Sequence, residues 1–580
     1  MKELLIEPLK YYESQGREEH AQNCSDYYDL LLEKSGVNVE ENRNTVQKYN
    51  AAQDKIAAVD KEIRKFKLIK ALLITAIIVG AIFIILACVN FYNGDDGLWQ
   101  LLLGLVLIVV SVIILIKTIN PKIKNANELR EKHLAEANEL YNLAKSQVAP
   151  LNALFDGADS FRMIEKTVPL FNFDVRFDSS RLRSMVNNYD FIDLQEENSS
   201  VLDMISGEFS GNPFLYCRRR IQEMGTHTYH GSLVIHWTET YRDNEGNLAT
   251  RSRSETLYAS VTKPKPYYYT NTYLGYGNQA APELSFTREA TDTEELSERA
   301  LARKVRKGER KLKKMAEKTL KNGGTFQQMT NSEFDVLYGA TDRNHEVQFR
   351  VMFTPLAQRS TIDLLKDKKN YGDDFNFSKF GKYNIVCSEH SQNWNMNTSP
   401  SNYFSHDVDE IKKKFVSFNS EFFKSIFFDF APILAIPVYM DEPGISVADD
   451  EGGPIPYPYY SHEMMANALG QESFAHPCSA TEAILKTSYL STAGVIDRVQ
   501  VKAYSFEIIP RIDYVSVRGG DGDIHAVPVH WDEYIPVSDS RMMEVEAADI
   551  PWTKDNDSLA SRTYNVPDGK LFRGFVSRHI

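Results

Sequence analysis

The sequence reads ALLITAIIVGAIFIILACV at Ala71–Val89 and LWQLLLGLVLIVVSVIILI at Leu98–Ile116, two stretches without a charged side chain. At a rise of about 1.5 Å per residue, a helix of either length nearly crosses a ~30 Å hydrocarbon core. Buried core helices usually carry a polar stripe, which these stretches lack. The long polar segment before the first stretch also argues against a signal peptide. The two stretches therefore predict a transmembrane helical hairpin.

Basic residues flank this hairpin asymmetrically. They precede the first stretch and follow the second, at Lys61, Arg64, Lys65, Lys67, Lys70, Lys117, Lys122 and Lys124. The connecting loop, Asn90–Gly97, contains Asp95 and Asp96 but no Lys or Arg. Because cytoplasmic loops carry the excess of Lys and Arg, we expect a protein of the bacterial inner membrane with two spans and both termini in the cytoplasm.

Apolar residues repeat at coiled-coil spacing on both sides of the hairpin. The pattern before the first span is Tyr49, Ala52, Ile56, Val59, Ile63 and Phe66, and the pattern after the second is Leu134, Ala137, Tyr141, Ala144 and Val148. Spacings of 3 and 4 residues form the seam of a coiled coil. We expect the two legs to pack antiparallel as a stalk; alternatively, each leg packs on a partner chain. Pro121 is expected to kink or restart the second leg.

The overall composition limits the class of protein. With 580 residues, 43% hydrophobic and 25% charged, the chain is neither disordered nor fibrous and is long enough for more than one folding unit. A net charge of −13 argues against a protein that coats nucleic acid. Five scattered cysteines suit free thiols in a reducing compartment.

After residue 160 the sequence becomes β-rich. The clearest element is a predicted hairpin with arms Tyr229–Tyr241 and Leu248–Val261, joined by the turn Asp243–Asn247. A second hairpin is predicted around the GGDGD turn, Gly519–Asp523, whose glycines can adopt positive φ. The strings HWTE, from His236, and HWDE, from His530, resemble each other. They indicate either a duplicated β-unit or a chance match.

Between these β regions lies one long basic helix, predicted over Glu294–Lys321. An apolar strip runs through Leu301, Val305, Gly308, Leu312, Met315 and Thr319. Residues 299–321 contain eleven Lys or Arg and two Glu, a local charge of +9. Anionic lipid headgroups attract such a face, and nucleic acid or acidic surface of the same chain are the alternatives. The proposed contact residues are Arg303, Arg306, Lys307, Arg310, Lys313 and Lys314.

These signals predict an α+β fold in several parts. Their bounds are 1–66 for a cytoplasmic helical segment and first stalk leg, 67–117 for the transmembrane hairpin, 118–150 for the second stalk leg, 160–290 for a β-rich domain, 291–324 for the basic helix and 325–580 for a second α+β region. The apolar stretch Phe422–Met440 contains two prolines and two charges. It is therefore predicted as a buried helix end followed by a strand, not as a third span.

One further segment carries a family resemblance. NSEFDVLYGATDRNHEVQFRVMFTPLAQRSTIDLL, at Asn331–Leu365, is similar to the core of an uncharacterised bacterial family of two-pass inner-membrane proteins with a cytoplasmic β-rich domain. Phe334 and Val336, followed by Phe353, Thr354 and Pro355, occupy the positions of that family's pattern. The segment covers 35 of the 580 residues. The resemblance implies the architecture and no catalytic activity.

Motifs for catalysis are fragmentary. His462-Glu463 begins like a zinc-protease motif, but Ala466 stands where the second histidine belongs. Cys217 precedes three arginines, which lower a thiol pKa, yet no motif supplies a partner histidine. We therefore expect no catalytic, cofactor-binding or metal-binding residues and no cofactor.

The expected function is that of a non-enzymatic, membrane-anchored cytoplasmic binding or scaffold protein. Its expected partners are the bilayer, anionic lipid headgroups and a protein of unknown identity, with nucleic acid disfavoured. Two alternatives stay open: an envelope-associated factor acting on lipid through the basic helix, or an enzyme with an unrecognised site in the β-rich domain. A deep pocket lined by convergent polar groups would favour the enzyme.

Overall fold

The computed structural model describes residues 2–93, 96–191, 196–242, 247–392, 396–442, 444–445, 456–548 and 569–579. The fold is α+β, as the sequence predicts. Contacts divide the chain into two compact units. The body comprises Met1–Asn23, Ala158–Thr398 and Asn419–Ile580, and the hairpin unit comprises Cys24–Gly157 and Ser399–Phe418.

The helices of the described residues are these, in chain order: α1 Lys2–Leu5, α2 Pro8–Tyr11, α3 Arg17–Ser35, α4 Val39–Asn93, α5 Leu98–Ile114, α6 Asn120–Asn152, α7 Asp159–Thr167, α8 Ser179–Tyr189, α9 Glu298–Lys321, α10 Ser332–Tyr338, α11 Glu346–Met352, α12 Pro355–Leu365, α13 Glu389–Gln392, α14 Val408–Leu434, α15 Val438–Asp441 and α16 Tyr459–Leu469. Single π-helical turns occupy Tyr12–Gly16 and Leu115–Ile119.

The strands of the described residues belong to two antiparallel sheets of the body. They are β1 Phe171–Phe173, β2 Ser199–Phe209, β3 Asn212–Arg242, β4 Leu248–Gly277, β5 Ser285–Arg288, β6 Phe375–Phe380, β7 Tyr383–Ser388, β8 Ile484–Ala493, β9 Ile496–Arg518, β10 Ile524–Ala547, β11 Gly569–Phe572 and β12 Phe575–His579. One sheet has the order β1-β2-β3-β4-β7-β6-β5 and the other β11-β12-β10-β9-β8. The first sheet thus takes strands from both sides of α9.

In the hairpin unit, α4 and the continuous helix Leu98–Asn152 are each long and apolar enough to cross a bilayer. Their large apolar side chains face outward, with Leu72 70% and Ile85 63% exposed. The contact between them is made by small residues: a Cβ on Gly104 would lie 2.6 Å from the carbonyl oxygen of Gly80. Outward large residues with a small-residue interface are typical of transmembrane pairs, whereas a soluble core helix would bury the same side chains.

The predicted stalk legs pack on each other within the chain. Ala52 and Ile56 of α4 form one buried cluster with Ala137 of α6, and Val59 and Ile63 form a second with Ala126. The prediction that the two legs pack antiparallel on each other is therefore confirmed.

Pro121 does not end the helix of the second leg. The π-helical turn Leu115–Ile119 stands directly before it, and the helix runs on from Asn120 to Asn152. Proline lacks the N–H of the regular ladder and crowds the preceding turn, and a π-helical turn changes the ladder at that position. Of the two predicted effects of Pro121, the restarted helix is therefore wrong, and the kink stays a prediction.

The core of the body joins its two sheets through α16. Tyr460, Met464 and Met465 of this helix lie in one buried cluster with Leu215 of β3 and Val501 of β9. All five side chains are at most 1% exposed. The body therefore has a core to which strands from residues 199–579 contribute.

The apolar stretch Phe422–Met440 is helical throughout most of its length. It forms the end of α14 and then α15, so the predicted strand is wrong. Phe423, Phe427 and Phe430 are all at most 1% exposed. An apolar run that is buried on every side has no polar face to reveal its period, and periodicity alone cannot separate helix from strand there.

The N-terminal residues pack in this same core. The ring of Tyr12 stacks on Phe427 with centroids 5.6 Å apart. The ring of His20 stacks on Phe423 at 4.2 Å, with Nδ1 2.9 Å from Thr167 Oγ1 and Nε2 3.0 Å from the Asn419 carbonyl oxygen. Burial lowers the pKa of His20 to about 4. Residues 2–23 are thus an integral part of the body.

The predicted hairpins are present, but their strands are much longer than predicted. Arms predicted as Tyr229–Tyr241 and Leu248–Val261 belong to β3 and β4, while residues 243–246 of the predicted turn lie outside the described residues. The GGDGD turn joins β9 to β10 and places Gly522 at φ +92°. The two hairpins pack face to face, since Ile235 and Leu257 bury Val527.

A disulfide across the stalk tests the packing of the legs. The double variant Ile56→Cys/Ala137→Cys should crosslink within one chain, because both side chains belong to one buried cluster. The mismatched variant Ile63→Cys/Ala137→Cys is the control, since seven residues shift the pair by about 10 Å along a helix. Non-reducing electrophoresis of membranes reads the result. Crosslinks that form only between chains would show that each leg packs on a partner chain and not on the other leg of its own chain.

The buried histidine predicts a pH-dependent stability of the body. His20 is neutral in the folded state down to pH about 4, whereas an unfolded histidine binds a proton below pH about 6.5. Folding stability should therefore fall as pH drops from 6.5 to 4, by roughly 2–4 kcal/mol. Thermal unfolding of the detergent-solubilised full chain measures it.

The matched variant for this measurement is His20→Phe, which keeps a ring against Phe423. It should cost about 1–3 kcal/mol at neutral pH, because the Thr167 and Asn419 groups lose a buried partner. Its stability should change less between pH 6.5 and 4 than that of the wild type. Equal pH dependence in both proteins would refute the assignment.

Candidate functional site

The basic helix α9 begins later than the sequence suggests. Thr293–Glu295 form a 3₁₀ turn, and the side chain of Ser297 then accepts a hydrogen bond from the Ala300 N–H. Serine is a favoured N-cap residue because its oxygen satisfies an unpaired N–H of the first turn. The helix therefore runs over Glu298–Lys321, and its predicted start at Glu294 is wrong.

One side of α9 faces the body. Leu312 is buried, and Gly308 lies so close to α10 that an added Cβ would be 2.4 Å from Cγ1 of Val336. Leu301, Val305 and Met315 are half-buried. The predicted apolar strip is thus the packed side of the helix, which places the basic residues on the other side.

The six proposed contact residues are all exposed. They are Arg303, Arg306, Lys307, Arg310, Lys313 and Lys314. None of the six forms an ion pair with an acidic side chain of the described residues. Five of the six line an open groove along the helix surface, together with Arg299, Ala302 and Lys311. These five are Arg303, Arg306, Lys307, Arg310 and Lys314. Acidic surface of the described chain therefore does not neutralise this side of α9.

One lysine of α9 has a different role. Lys304 donates hydrogen bonds to the Thr291 carbonyl oxygen at 3.1 Å and to Thr291 Oγ1 at 2.8 Å. Burial lowers its pKa, and the nearby Arg288 acts in the same direction. Lys304 thus attaches the helix to the preceding loop, while its exposed neighbours stay available.

The spacing of the exposed charges suits a row of phosphates. Residues 303–314 span about 16 Å at 1.5 Å per residue, and successive cations recur every three or four positions, about one helical turn apart. Arginine binds phosphate oxygens in a bidentate fashion, and lysine binds them as a point charge. The arrangement can therefore hold several anionic groups at once.

Cys217 is a structural cysteine. Its side chain is fully buried in the core of the body. Burial raises the pKa of the thiol, although the neighbouring Arg219 acts in the opposite direction. Cys387 is similar, because burial raises the pKa of its thiol to about 12. Neither thiol has the lowered pKa that a nucleophile needs.

The residues of the protease-like string have polar partners within the core. His462 Nε2 lies 3.0 Å from Asp497 Oδ2, and Glu463 pairs with Lys486 at 2.7 Å and accepts from the Val201 N–H. Among the described residues, no group of three or more His, Cys, Asp or Glu side chains is placed to hold a metal ion. The string therefore packs α16 between the sheets.

A buried polar network around α14 was not predicted. The Tyr216 hydroxyl and the Ser391 hydroxyl both donate to Asp429, while His390 Nδ1 lies 2.5 Å from Asp374 Oδ2. Burial raises the pKa of Asp429. Burial alone would lower the pKa of His390, but the neighbouring Asp429 and Asp374 raise it by more, so the pKa of His390 is raised overall. Because its members come from residues 216 to 429, sequence spacing gave no signal. The network satisfies its own members and presents no free reactive group.

Comparisons with family models, with curated proteins and with solved structures found no match for this chain. The resemblance of Asn331–Leu365 to a bacterial two-pass family therefore stays a prediction. Its helical parts are α10, α11 and α12, and Thr354 caps the last of these with a hydrogen bond from the Ala357 N–H.

Proposed function

We propose that this chain is a non-enzymatic binding protein anchored in the bacterial inner membrane, whose α9 binds the phosphates of anionic lipid headgroups. A protein partner bound by the β-rich body would make it a scaffold at that surface. The observation that carries the proposal is the exposed side of α9, where six cations lack an ion pair with any described acidic residue. Two apolar helices that suit a bilayer support the membrane location.

The physical argument is electrostatic. Each Lys or Arg near an anionic leaflet gains about 1 kcal/mol, so six on one side of a helix gain on the order of several kcal/mol if they reach it. The attraction falls over a Debye length of about 8 Å at physiological salt. Anchoring in the same chain raises the local concentration of headgroups. The weak contacts of the six cations therefore add up to a measurable preference of α9 for anionic lipid.

The cytoplasmic location rests on the charges beside the spans. Lys117, Lys122 and Lys124 follow the second span, while the short loop between the spans contains no Lys or Arg. The inner leaflet carries the negative surface potential. A cytoplasmic body and an anionic-lipid surface on α9 are therefore consistent with each other.

A reporter fused after Ile580 tests the orientation. It should be active only as a cytoplasmic reporter, because the excess of Lys and Arg stays on the cytoplasmic side. A fusion within the loop Asn90–Gly97 should show the opposite behaviour. Periplasmic activity of the C-terminal fusion would refute the orientation.

Vesicle binding tests the role of α9. The full chain, held in nanodiscs of zwitterionic lipid, should cosediment with anionic vesicles and should release them as salt rises. Reversal of Arg303, Arg306, Arg310 and Lys314 to Glu should abolish this binding. The full chain is required, because a fragment beginning at residue 161 would lack His20 and its buried contacts.

The control variant reverses four exposed cations elsewhere, Lys166, Lys413, Lys502 and Arg518. This control changes the net charge of the chain by the same amount as the α9 reversal, and it should keep most of the binding to anionic vesicles. Inorganic phosphate and RNA serve as competitors. Binding that resists both the α9 reversal and high salt would refute the proposed lipid contact, and so would a preference for RNA over anionic vesicles.

A further inference from the structure

Four exposed cations of α9 follow one line along the helix axis, which we call the cation line. They are Arg303, Lys307, Arg310 and Lys314, separated by 4, 3 and 4 residues. Side chains at these spacings are neighbours on the surface of a helix. All four are exposed and line the groove of α9. The cation line therefore presents two Arg–Lys pairs to solvent, each about one helical turn long.

The cation line brings like charges together without an acidic side chain between them. Glu309 and Glu317 are the two acidic residues of the segment 299–321, and neither lines the groove. Like charges four residues apart destabilise a helix. A bound anion removes this cost, because its negative charge lies between the two cations of a pair. The charges of the cation line are therefore complementary to a ligand with more than one negative group.

The body holds the cation line in place without using any of its four cations. Leu312 is buried, and Gly308 approaches Val336 so closely that an added Cβ would lie 2.4 Å from its Cγ1. Lys304 attaches the same helix to the preceding loop through Thr291. Because these contacts fix the helix from its packed side, the cation line is formed before any ligand binds.

Each Arg–Lys pair suits two phosphates that belong to one molecule. The Cβ atoms of such a pair lie about 5–6 Å apart, so the arginine can hold one phosphate in a bidentate fashion while the lysine holds the next. Binding two phosphates of two separate lipids restricts the motion of both molecules, whereas two phosphates on one headgroup restrict only one. Once the first phosphate has bound, the second is also present at a high effective concentration.

We propose that α9 selects lipids whose headgroup carries two phosphates. Arg303 and Lys307 hold one such headgroup. Arg310 and Lys314 hold a second one, about 10 Å further along the helix. This inference rests on the proposed contact of α9 with anionic lipid, and it names the class of headgroup that this contact prefers.

Vesicles of matched charge test this selection. The full chain, held in nanodiscs of zwitterionic lipid, is mixed with vesicles that contain either diphosphatidylglycerol, with two phosphates, or twice its mole fraction of phosphatidylglycerol, with one. Attraction to surface charge alone predicts equal binding to both. We expect half-maximal binding at an about fivefold lower concentration of lipid phosphate with diphosphatidylglycerol, because each pair then binds a single molecule.

Two variants of equal net charge separate the paired cations from the total charge of the helix. Lys307→Gln/Lys314→Gln removes the lysine of each pair and should abolish the preference for diphosphatidylglycerol, since each arginine then holds one phosphate alone. Lys313→Gln/Lys321→Gln removes two exposed cations that do not line the groove, and it should keep the preference. Glutamine is a good helix former, and circular dichroism checks that both variants keep the helix content of the wild type.

Equal binding of the wild type to the two kinds of vesicle would overturn this inference and leave the proposed lipid contact of α9 intact. An equal loss of preference in both variants would also overturn it. Binding to neither kind of vesicle would refute the lipid contact itself, and this inference with it. Inorganic pyrophosphate supplies two phosphates on a soluble molecule. If pyrophosphate saturated the chain at a lower phosphate concentration than the vesicles, the ligand would be a soluble diphosphate and the assignment to lipid would be wrong.

Discussion

The structure depends first on apolar surface that water cannot accommodate. Most side chains of the two long helices between residues 71 and 116 point outward, and the buried residues of these helices there are Gly80, Ala87, Gly104, Ser111 and Leu115. Exposing the outward side chains to water would cost about 25 cal/mol for every Å². A bilayer removes that cost, and the close Gly80–Gly104 crossing then holds the helices together by packing. The stalk helices continue from these spans, so the spans also fix their antiparallel direction.

Sequence reasoning succeeded where a pattern repeated within one continuous segment. The seam through Ile56 and Ala137 predicted a contact that the structure contains, and the apolar strip of α9 predicted its packed side through Leu312. It failed where a segment had no polar face, as in Phe422–Met440. It also missed contacts between distant residues. His20 meets Asn419, and Tyr216 meets Asp429, and no spacing rule links such pairs.

The candidate site was predictable for a related reason. Six cations on one side of a helix form a local pattern, and the structure adds that they are exposed and lack described acidic partners. Spacing could not predict which cation of α9 is not free to bind a ligand. Lys304 lies among these cations in sequence, yet it bonds Thr291. Spacing also did not predict the start of α9. The hydroxyl of Ser297 caps the helix, which therefore begins at Glu298, after the acidic residues Glu294 and Glu295.

The two similar HW strings occupy matching cross-strand positions in their hairpins. Trp237 lies opposite Arg253, which pairs with Glu239 at 3.0 Å; Trp531 lies opposite Arg511, which pairs with Glu533. HWTE precedes the turn of its hairpin, whereas HWDE follows the turn of its hairpin. A tandem duplication would place both strings on the same side of the turn. The common element is a cross-strand rule, in which the arginine faces the ring and reaches the glutamate two residues on. Trp237, Arg253 and Glu239 therefore share one face of the β3–β4 hairpin, and Trp531, Arg511 and Glu533 share one face of the β9–β10 hairpin.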